Sequence, residues 1–261
     1  MQPASDSKMN LKELKGKLKW LDPFTYVDLY LMPKVNPGDN ELLSWVIYIF
    51  AAFFFAWAIY TGLGLILGTG SPMMIVVSSS MEPLYHRGDI LVLQGTGPEG
   101  IEAQQVELPL EQLSDSEFES FANPIYSQGT LASIESIKFD TGETIPITKD
   151  GTIVVYWNDY LKKPIVHRVV AKLHAMDGWF LLTKGDSVNN YTIDQDCGYI
   201  INGSPEKPCI ALYPVKISAL QGKLVFHVPL LGCAKLWLLD DLGSLLATGK
   251  MPVDFKEGNF C

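Results

Sequence analysis

An uncharged stretch near the N-terminus constrains this chain more than any other feature. Residues 42–81 contain no Asp, Glu, Lys or Arg, and the run Leu43–Leu67 within them is almost entirely apolar. A helix that crosses a bilayer needs about 20 mostly apolar residues, and each central Leu, Ile, Phe or Val favours insertion by about 0.3–0.6 kcal/mol. We therefore predict a transmembrane helix over residues 42–69. The alternative, a buried helix of a soluble core, is seldom uncharged over such a length.

The sequence around this helix predicts an uncleaved anchor and its orientation. The apolar core of a secretory signal is only about 7–15 residues long and follows a short basic segment, whereas here 41 residues precede a longer run. The small residues 68–70 leave cleavage as the alternative. Lysines precede the helix, and the next basic residue is Arg87, so the positive-inside rule places the N-terminus in the cytoplasm. These lysines are Lys8, Lys12, Lys15, Lys17, Lys19 and Lys34.

The parts on either side of the helix differ in pattern. In the basic tail, residues 1–41, leucines recur at helical spacing from Leu11 to Leu21. This spacing fits an amphipathic helix on the inner membrane surface or an ordinary solvated helix. Residues 70–261 are enough to bury a core of their own. Their short β-branched runs, bounded by Gly, Pro and Asp, predict a mainly β extracytoplasmic domain.

The acidic charge of the chain lies in one segment. The net charge is −9 with a pI near 4.9, which argues against a nucleic-acid partner. Residues 96–150, called the acidic segment below, hold eleven acidic residues and two lysines, a surplus equal to the net charge of the whole chain. We interpret this segment as a solvated insertion that interrupts the β domain. A surface for docking or steering a substrate is the alternative.

Three groups of residues have the chemistry of a serine nucleophile. Three serines, residues 78–80, follow an apolar run, and His167 is a single polar residue within another. A serine hydroxyl needs a neighbouring base to accept its proton and donors to stabilise the oxyanion. Asp186, Asp194 and Asp196 follow on a glycine-containing loop and could orient an imidazole. Each group alone is also compatible with an ordinary turn or a buried histidine.

In combination these motifs resemble the type I signal peptidases, in the branch found in the endoplasmic reticulum and in archaea. The blocks are Ser-Ser-Ser-Met-Glu-Pro with a following Arg-Gly-Asp, then Ile-Val-His-Arg-Val, Thr-Lys-Gly-Asp and Gly-Lys-Leu-Val-Phe-His-Val. They occur in the family's order behind a helix of the expected orientation. The basic tail and the acidic segment lie outside the resemblance. The resemblance implies that the catalytic domain is an antiparallel β-sheet or a partly open barrel.

The resemblance implies a role for each candidate residue. Ser80, directly before Met, matches the nucleophile, and Ser78 matches the serine that supports the oxyanion hole. His167 matches the general base, because this branch uses histidine where the bacterial branch uses lysine. Asp194 matches the residue that orients the histidine, and Asp186 supports the loop. The spacing from Asp186 is two residues longer than usual, so Asp196 remains a competitor of Asp194.

The activity that the resemblance implies is removal of signal peptides from secreted precursors by a membrane-bound serine endopeptidase. Cleavage is expected after a small residue, with no metal or cofactor. Precursors and membrane lipid are the expected partners, and a translocon is a further candidate. A catalytically silent relative that binds precursors or a translocon, or a peptidase with one dedicated substrate, is the alternative.

Three further features extend these expectations. Cys197 and Cys209 could form a disulfide on the extracytoplasmic side. The triplets that begin at Asn190 and Asn202 match the glycosylation motif, although a glycan on Asn190 would crowd Asp194. The apolar region 225–246 contains charges that argue against a second span, so we expect either a surface-lying apolar patch or a packed C-terminal helix.

Overall fold

The computed structural model describes residues 19–128, 132–198 and 209–237, together with Gly243 and Gly249. The chain forms two compact units, Met1–Leu63 and Gly64–Cys261. The Asn202 triplet, most of the predicted tail helix and much of the region after Trp237 lie outside the described residues.

The first unit is helical. A 3-10 turn at Lys19–Leu21 precedes α1 (Pro23–Tyr26), a π-helical turn (Val27–Leu31) and α2 (Met32–Val35), and α3 extends from Glu41 to Leu67. The side chain of Asp22 caps α1 by accepting a hydrogen bond from the Phe24 amide at 2.9 Å. Val27 packs on Ile47 and Ala51 of α3, so the short helices lie along the first half of the long one.

Helix α3 has the length and composition of a membrane span. At 1.5 Å per residue its 27 residues extend about 40 Å, more than the hydrocarbon thickness of about 30 Å. Most of its large apolar side chains are exposed, as a surface in contact with lipid requires. It is the one helix within the described residues that is long and apolar enough to cross a membrane.

The second unit is mainly β, as the sequence predicts. Its described residues form eleven strands, short 3-10 turns at Pro98–Gly100, Phe118–Ser120 and Ile217–Ala219, and a helical turn, α4 (Cys233–Lys235). The strands are β1 (Met73–Ile75), β2 (Ile90–Gln94), β3 (Gln104–Leu108), β4 (Ala122–Tyr126), β5 (Ile134–Phe139), β6 (Thr144–Pro146), β7 (Ile153–Asn158), β8 (Lys163–Ala175), β9 (Gly178–Lys184), β10 (Val215–Lys216) and β11 (Leu220–Val228).

The main sheet is open and almost entirely antiparallel. Its strand order is β1-β2-β11-β7-β8-β9-β10, and β3 adds to β8 in parallel. Within the described residues β1 and β10 end this path without pairing to each other, so the sheet does not close into a barrel. Strand β7 is buried along nearly its whole length, which agrees with its central position and its β-branched residues.

The acidic segment is folded. It supplies β3 to the main sheet and forms a second antiparallel sheet, β4-β5-β6. In strand β5 the apolar residues Ile134, Ile137 and Phe139 are buried, whereas the charged residues Glu135 and Lys138 are exposed to water. The segment also contributes most of the buried residues of the largest core cluster, among them Phe118, Phe121, Ile137 and Phe139.

The predicted disulfide is present, since Cys197 is bonded to Cys209. The C-terminal region also has exposed apolar side chains. Phe226 near the end of β11, Leu230, Leu231 and Trp237 are each more than half exposed, whereas Leu236 is buried. The described part of this region therefore has the character of an apolar surface.

The packing of β5 predicts that the acidic segment contributes to stability. Phe139 is 1% exposed and packs against Phe121, so Phe139→Ala should lower the free energy of unfolding by about 3–5 kcal/mol. The half-exposed Ile125 on β4 gives the matched control, and Ile125→Ala should stay within about 0.5 kcal/mol of wild type. Urea unfolding of the full chain in detergent measures both. An unchanged midpoint for Phe139→Ala would contradict a folded acidic segment.

Candidate active site

Ser80 lies on the connection between β1 and β2 and is held through its backbone. Its carbonyl accepts hydrogen bonds from the Ser187 amide and from Asn190 Nδ2, both at 3.0 Å. The next residue, Met81, is 1% exposed and belongs to a core cluster with Leu91 and other apolar residues. The burial of Met81 and the two hydrogen bonds to the Ser80 carbonyl together fix the peptide unit that follows Ser80.

The neighbouring serines face solvent. Ser78 and Ser79 are exposed, whereas Ser80 is partly buried. The hydroxyl oxygens of Ser78 and Ser80 are 3.4 Å apart. Two hydroxyls and the backbone of a constrained loop are therefore close together at this point of the surface.

His167 lies inside the main sheet. It is on β8 opposite Val154 of β7 and is 1% exposed. Its Nδ1 atom is 2.5 Å from Asp194 Oδ2. An ionised carboxylate only accepts hydrogen bonds, so this contact places the proton on Nδ1 and leaves Nε2 as the basic nitrogen.

Asp194 accepts several hydrogen bonds in a buried position. Its side chain is 3% exposed, and besides the His167 contact its Oδ2 accepts from Thr183 Oγ1 at 2.6 Å and from the Tyr156 hydroxyl at 3.0 Å. The donors come from β8, β9 and β7, so three neighbouring strands converge on one carboxylate. Such satisfaction is what permits an ionised group to remain in an apolar interior.

Gly185 lies close to both the serine and the histidine. A Cβ atom at this position would lie 2.6 Å from the Ser80 carbonyl oxygen and 2.9 Å from His167 Nε2, so any side chain there would collide with both. Within the described residues no hydrogen bond joins Ser80 Oγ to His167 Nε2. Catalytic hydrogen bonds are often long in the absence of substrate, and the Ser80 carbonyl oxygen and His167 Nε2 both lie within 3.0 Å of the position that a Gly185 Cβ would take.

Asp186 and Asp196 have other contacts. Asp186 pairs with Arg168, whose Nη2 is 2.6 Å from Oδ2 and whose Nη1 donates to the Gly151 carbonyl at 2.7 Å. Asp196 accepts hydrogen bonds from Thr192 Oγ1 at 2.7 Å and from the Tyr126 hydroxyl. Neither carboxylate contacts His167. Asp186 ties the loop after β9 to β8, and Asp196 ties the following segment to β4.

Among the described residues, the side chain of Lys184, the last residue of β9, donates hydrogen bonds to backbone carbonyls alone. Its Nζ donates to the carbonyls of Gly185 at 3.1 Å and Asn190 at 2.5 Å. Burial lowers the pKa of Lys184, and the nearby carboxylates of Asp194 and Asp186 oppose that effect. These contacts give the side chain a role in shaping the loop that carries Gly185 and Asn190.

Several residues of this site are absent from the sequence prediction. Tyr156 and Thr183 donate to Asp194, Gly185 provides space, and Asn190 holds Ser80. Thr183 and Gly185 belong to the Thr-Lys-Gly-Asp motif, so the motif could have indicated that both residues are part of the site. In the sequence Asn190 belongs to a glycosylation triplet and to the Asn-Asn pair that precedes Asp194, and neither feature indicates the hydrogen bond from its amide nitrogen to the Ser80 carbonyl. Nothing local in the sequence marks Tyr156.

The fold and site together define a class. A β-sheet unit with a clustered Ser, His and Asp follows a helix suited to a membrane, as in a membrane-anchored serine hydrolase. No protein-family model matches the chain. The signal peptidase complex catalytic subunit SEC11 of Clavispora lusitaniae is 31% identical over 148 residues, 57% of this chain and 58% of the relative.

Two further relatives have the same description. The sec11 subunit of Schizosaccharomyces pombe is 29% identical over 187 residues, 69% of this chain and 74% of the relative. That of Yarrowia lipolytica is 31% identical over 157 residues, 59% of this chain and 63% of the relative. The chain thus matches between about three fifths and three quarters of the length of these three relatives. The sequence of this chain is thus similar to the sequences of catalytic subunits of the signal peptidase complex.

Burial of Tyr156 predicts a pH dependence of stability. Burial first, and then the charge of Asp194, raises the pKa of Tyr156 well above its ordinary value near 10. The unfolded chain releases this proton near pH 10 and the folded chain retains it, so stability present below pH 10 is lost as the pH rises further. The slope from this one group is at most about 1.4 kcal/mol per pH unit.

Unfolding in urea between pH 9 and 11.5 measures this slope. Tyr156→Phe should flatten it, whereas Tyr160→Phe, at a half-exposed position, should keep the wild-type slope. Equal slopes for Tyr156→Phe and wild type would show that Tyr156 ionises alike in both states.

Proposed function

We propose that this chain is a membrane-bound serine endopeptidase that removes N-terminal signal peptides from secreted precursors. The observation that carries the proposal is that Nδ1 of His167 contacts the buried Asp194 at 2.5 Å, while its Nε2 and the Ser80 carbonyl both lie beside Gly185. The relatives, named as catalytic subunits of a signal peptidase complex, supply the substrate class.

In the proposed reaction Ser80 is the nucleophile. Its Oγ attacks the scissile carbonyl while His167 Nε2 takes the hydroxyl proton, and the C–N bond then breaks as the same proton passes to the leaving amine. Water repeats the sequence against the acyl-enzyme, with His167 again as base, and releases the signal peptide. Asp194 holds the imidazole in the required tautomer and stabilises its charged form.

The oxyanion that forms in each half-reaction needs donors at the serine loop. We assign this role to the Ser80 backbone N–H and the Ser78 hydroxyl, which lies 3.4 Å from Ser80 Oγ. Donors of this kind act on the charge that develops in the transition state, so their effect falls mainly on kcat.

The substrate is proposed to bind as an extended strand along β1. Within the described residues β1 ends the path of the main sheet and pairs only with β2, so it has a free edge that a peptide can extend. Ser80 is the fifth residue after the end of β1, so it would lie close to a peptide bound along that strand. Shallow pockets for alanine-like side chains before the cut follow from the family.

The membrane segment limits where this chemistry occurs. Twelve residues lie between Leu67, at the end of α3, and Ser80, so the two are at most about 45 Å apart even when the chain is fully extended. We propose that the basic N-terminus is cytoplasmic and that the peptidase unit is extracytoplasmic in the cell membrane. The Cys197–Cys209 disulfide is in keeping with that side. Membrane lipid is then a constant partner, and a translocon a candidate one.

Cleavage of a precursor with an Ala-x-Ala site by the purified full chain in liposomes tests the proposal. Ser80→Ala and His167→Ala should each lower kcat at least about 10³-fold, because both remove a member of the acyl-transfer machinery. Ser79→Ala and His174→Ala, at exposed positions, are the matched controls and should retain activity. Full activity of Ser80→Ala would exclude the assigned nucleophile. Precursor binding without cleavage by wild type would favour the silent relative instead.

The oxyanion assignment makes a separate prediction in the same assay. Ser78→Ala should lower kcat by about 10²–10³-fold with little change in KM, as expected for loss of one oxyanion donor. Ser79→Ala again serves as control, since it changes an adjacent exposed hydroxyl. An unchanged kcat for Ser78→Ala would show that the Ser78 hydroxyl is not an oxyanion donor beside the backbone N–H of Ser80.

A further inference from the structure

The segment that carries Asp194 is bonded on its other side to the acidic segment. The Ile134 amide donates to the Tyr191 carbonyl at 2.8 Å, and the Gly198 amide donates to Glu119 Oε1 at 3.0 Å. These contacts attach both ends of residues 191–198, called the aspartate segment below, to β5 and to the turn before β4.

Tyr126 connects to the middle of the aspartate segment. Its hydroxyl lies 2.7 Å from Thr192 Oγ1 and donates to Asp196 Oδ2. Thr192 Oγ1 is in turn 2.7 Å from the same Asp196 oxygen. One hydroxyl from β4 therefore joins the residues two positions before and two positions after Asp194.

The apolar contacts follow the same pattern. Ile193 is 2% exposed and lies in the core cluster that contains Phe118, Phe139 and other residues of the acidic segment. Asp194, the next residue, turns the opposite way, with its amide bonded to the Thr183 carbonyl at 2.8 Å and its carboxylate on His167. Thr192, Ile193 and Asp196 thus face the acidic segment while Asp194 faces the site.

We propose that the acidic segment positions Asp194 against His167, and that Tyr126 and Asp196 are positioning residues for the peptidase reaction. The proposal rests on the proposed function above and deepens it. It gives the acidic segment a task inside the enzyme in place of a docking or steering surface. The expected effect is on kcat, because a displacement of about 1 Å in a catalytic constellation can lower the rate 10²-fold.

Tyr126→Phe is the principal variant, since it removes only the hydroxyl. It should lower kcat about 10-fold at unchanged KM, and Asp196→Asn should act in the same direction. When Asp194 is positioned less firmly, its carboxylate stabilises the charged imidazole of His167 less. The acid limb of the pH profile of kcat/KM should therefore move to lower pH. Among the described residues, the titratable groups that face Asp194 are His167, Tyr156 and Lys184, and both variants retain them.

Two variants serve as matched controls. Tyr160→Phe changes a half-exposed tyrosine outside this network, and Asp140→Asn changes an exposed carboxylate of the same acidic segment. Both should keep the wild-type kcat, KM and pH profile. If the acidic segment instead steers substrate, Asp140→Asn should raise KM while Tyr126→Phe leaves kcat unchanged, and the proposal is overturned.

Hydrogen–deuterium exchange of the aspartate segment provides a readout independent of activity. Tyr126→Phe and Asp196→Asn should speed exchange at the Asp194 amide, and the controls should not. If wild type cuts precursors but neither exchange nor kcat responds to Tyr126→Phe, the positioning role is wrong and the peptidase assignment stands. If wild type cuts nothing while exchange responds as expected, the contact network stands, but the proposed function fails and so does the positioning role of Tyr126 in the reaction.

Discussion

The buried carboxylate of Asp194 is the constraint on which the rest of the site depends. A charge removed from water costs several kcal/mol unless hydrogen bonds compensate it, and here the His167 ring and two hydroxyls approach a single oxygen. Those three groups stand on β7, β8 and β9. Correct register between the strands is therefore a condition for a satisfied carboxylate, so the sheet and the site specify each other.

Ser80 is placed by different means. Its loop is fixed by the burial of Met81 and by hydrogen bonds to its own carbonyl, while its hydroxyl stays accessible at the surface. The proposed nucleophile thus belongs to a loop, and the proposed base and its orienting carboxylate belong to the sheet. Gly185 allows the two parts to approach, because a side chain there would occupy the space between the Ser80 carbonyl and His167.

The acidic segment combines a charged surface with a large share of the core. Its composition favours a solvated insertion, but the apolar residues of β5 are buried while its charged residues are exposed, so this strand has one face in the core and one in water. Charge counts describe only the outward face of such a strand. The inward face of this one packs beside the residue that precedes Asp194, which is why a region outside the family resemblance is joined to the site.

The sequence by itself determined the apolar helix, because length and absence of charge suffice to specify it, and the mainly β class, because strand and turn residues are local signals. The order of the motifs also selected Ser80, His167 and Asp194 as candidates. Only the tertiary structure decided that Asp194 rather than Asp196 contacts His167. It also decided that Tyr156 and Thr183 donate to Asp194 and that Tyr126 donates to Asp196. Two aspartates two residues apart on a loop have the same local chemistry, and the direction each one faces depends on partners up to 70 residues away in the chain.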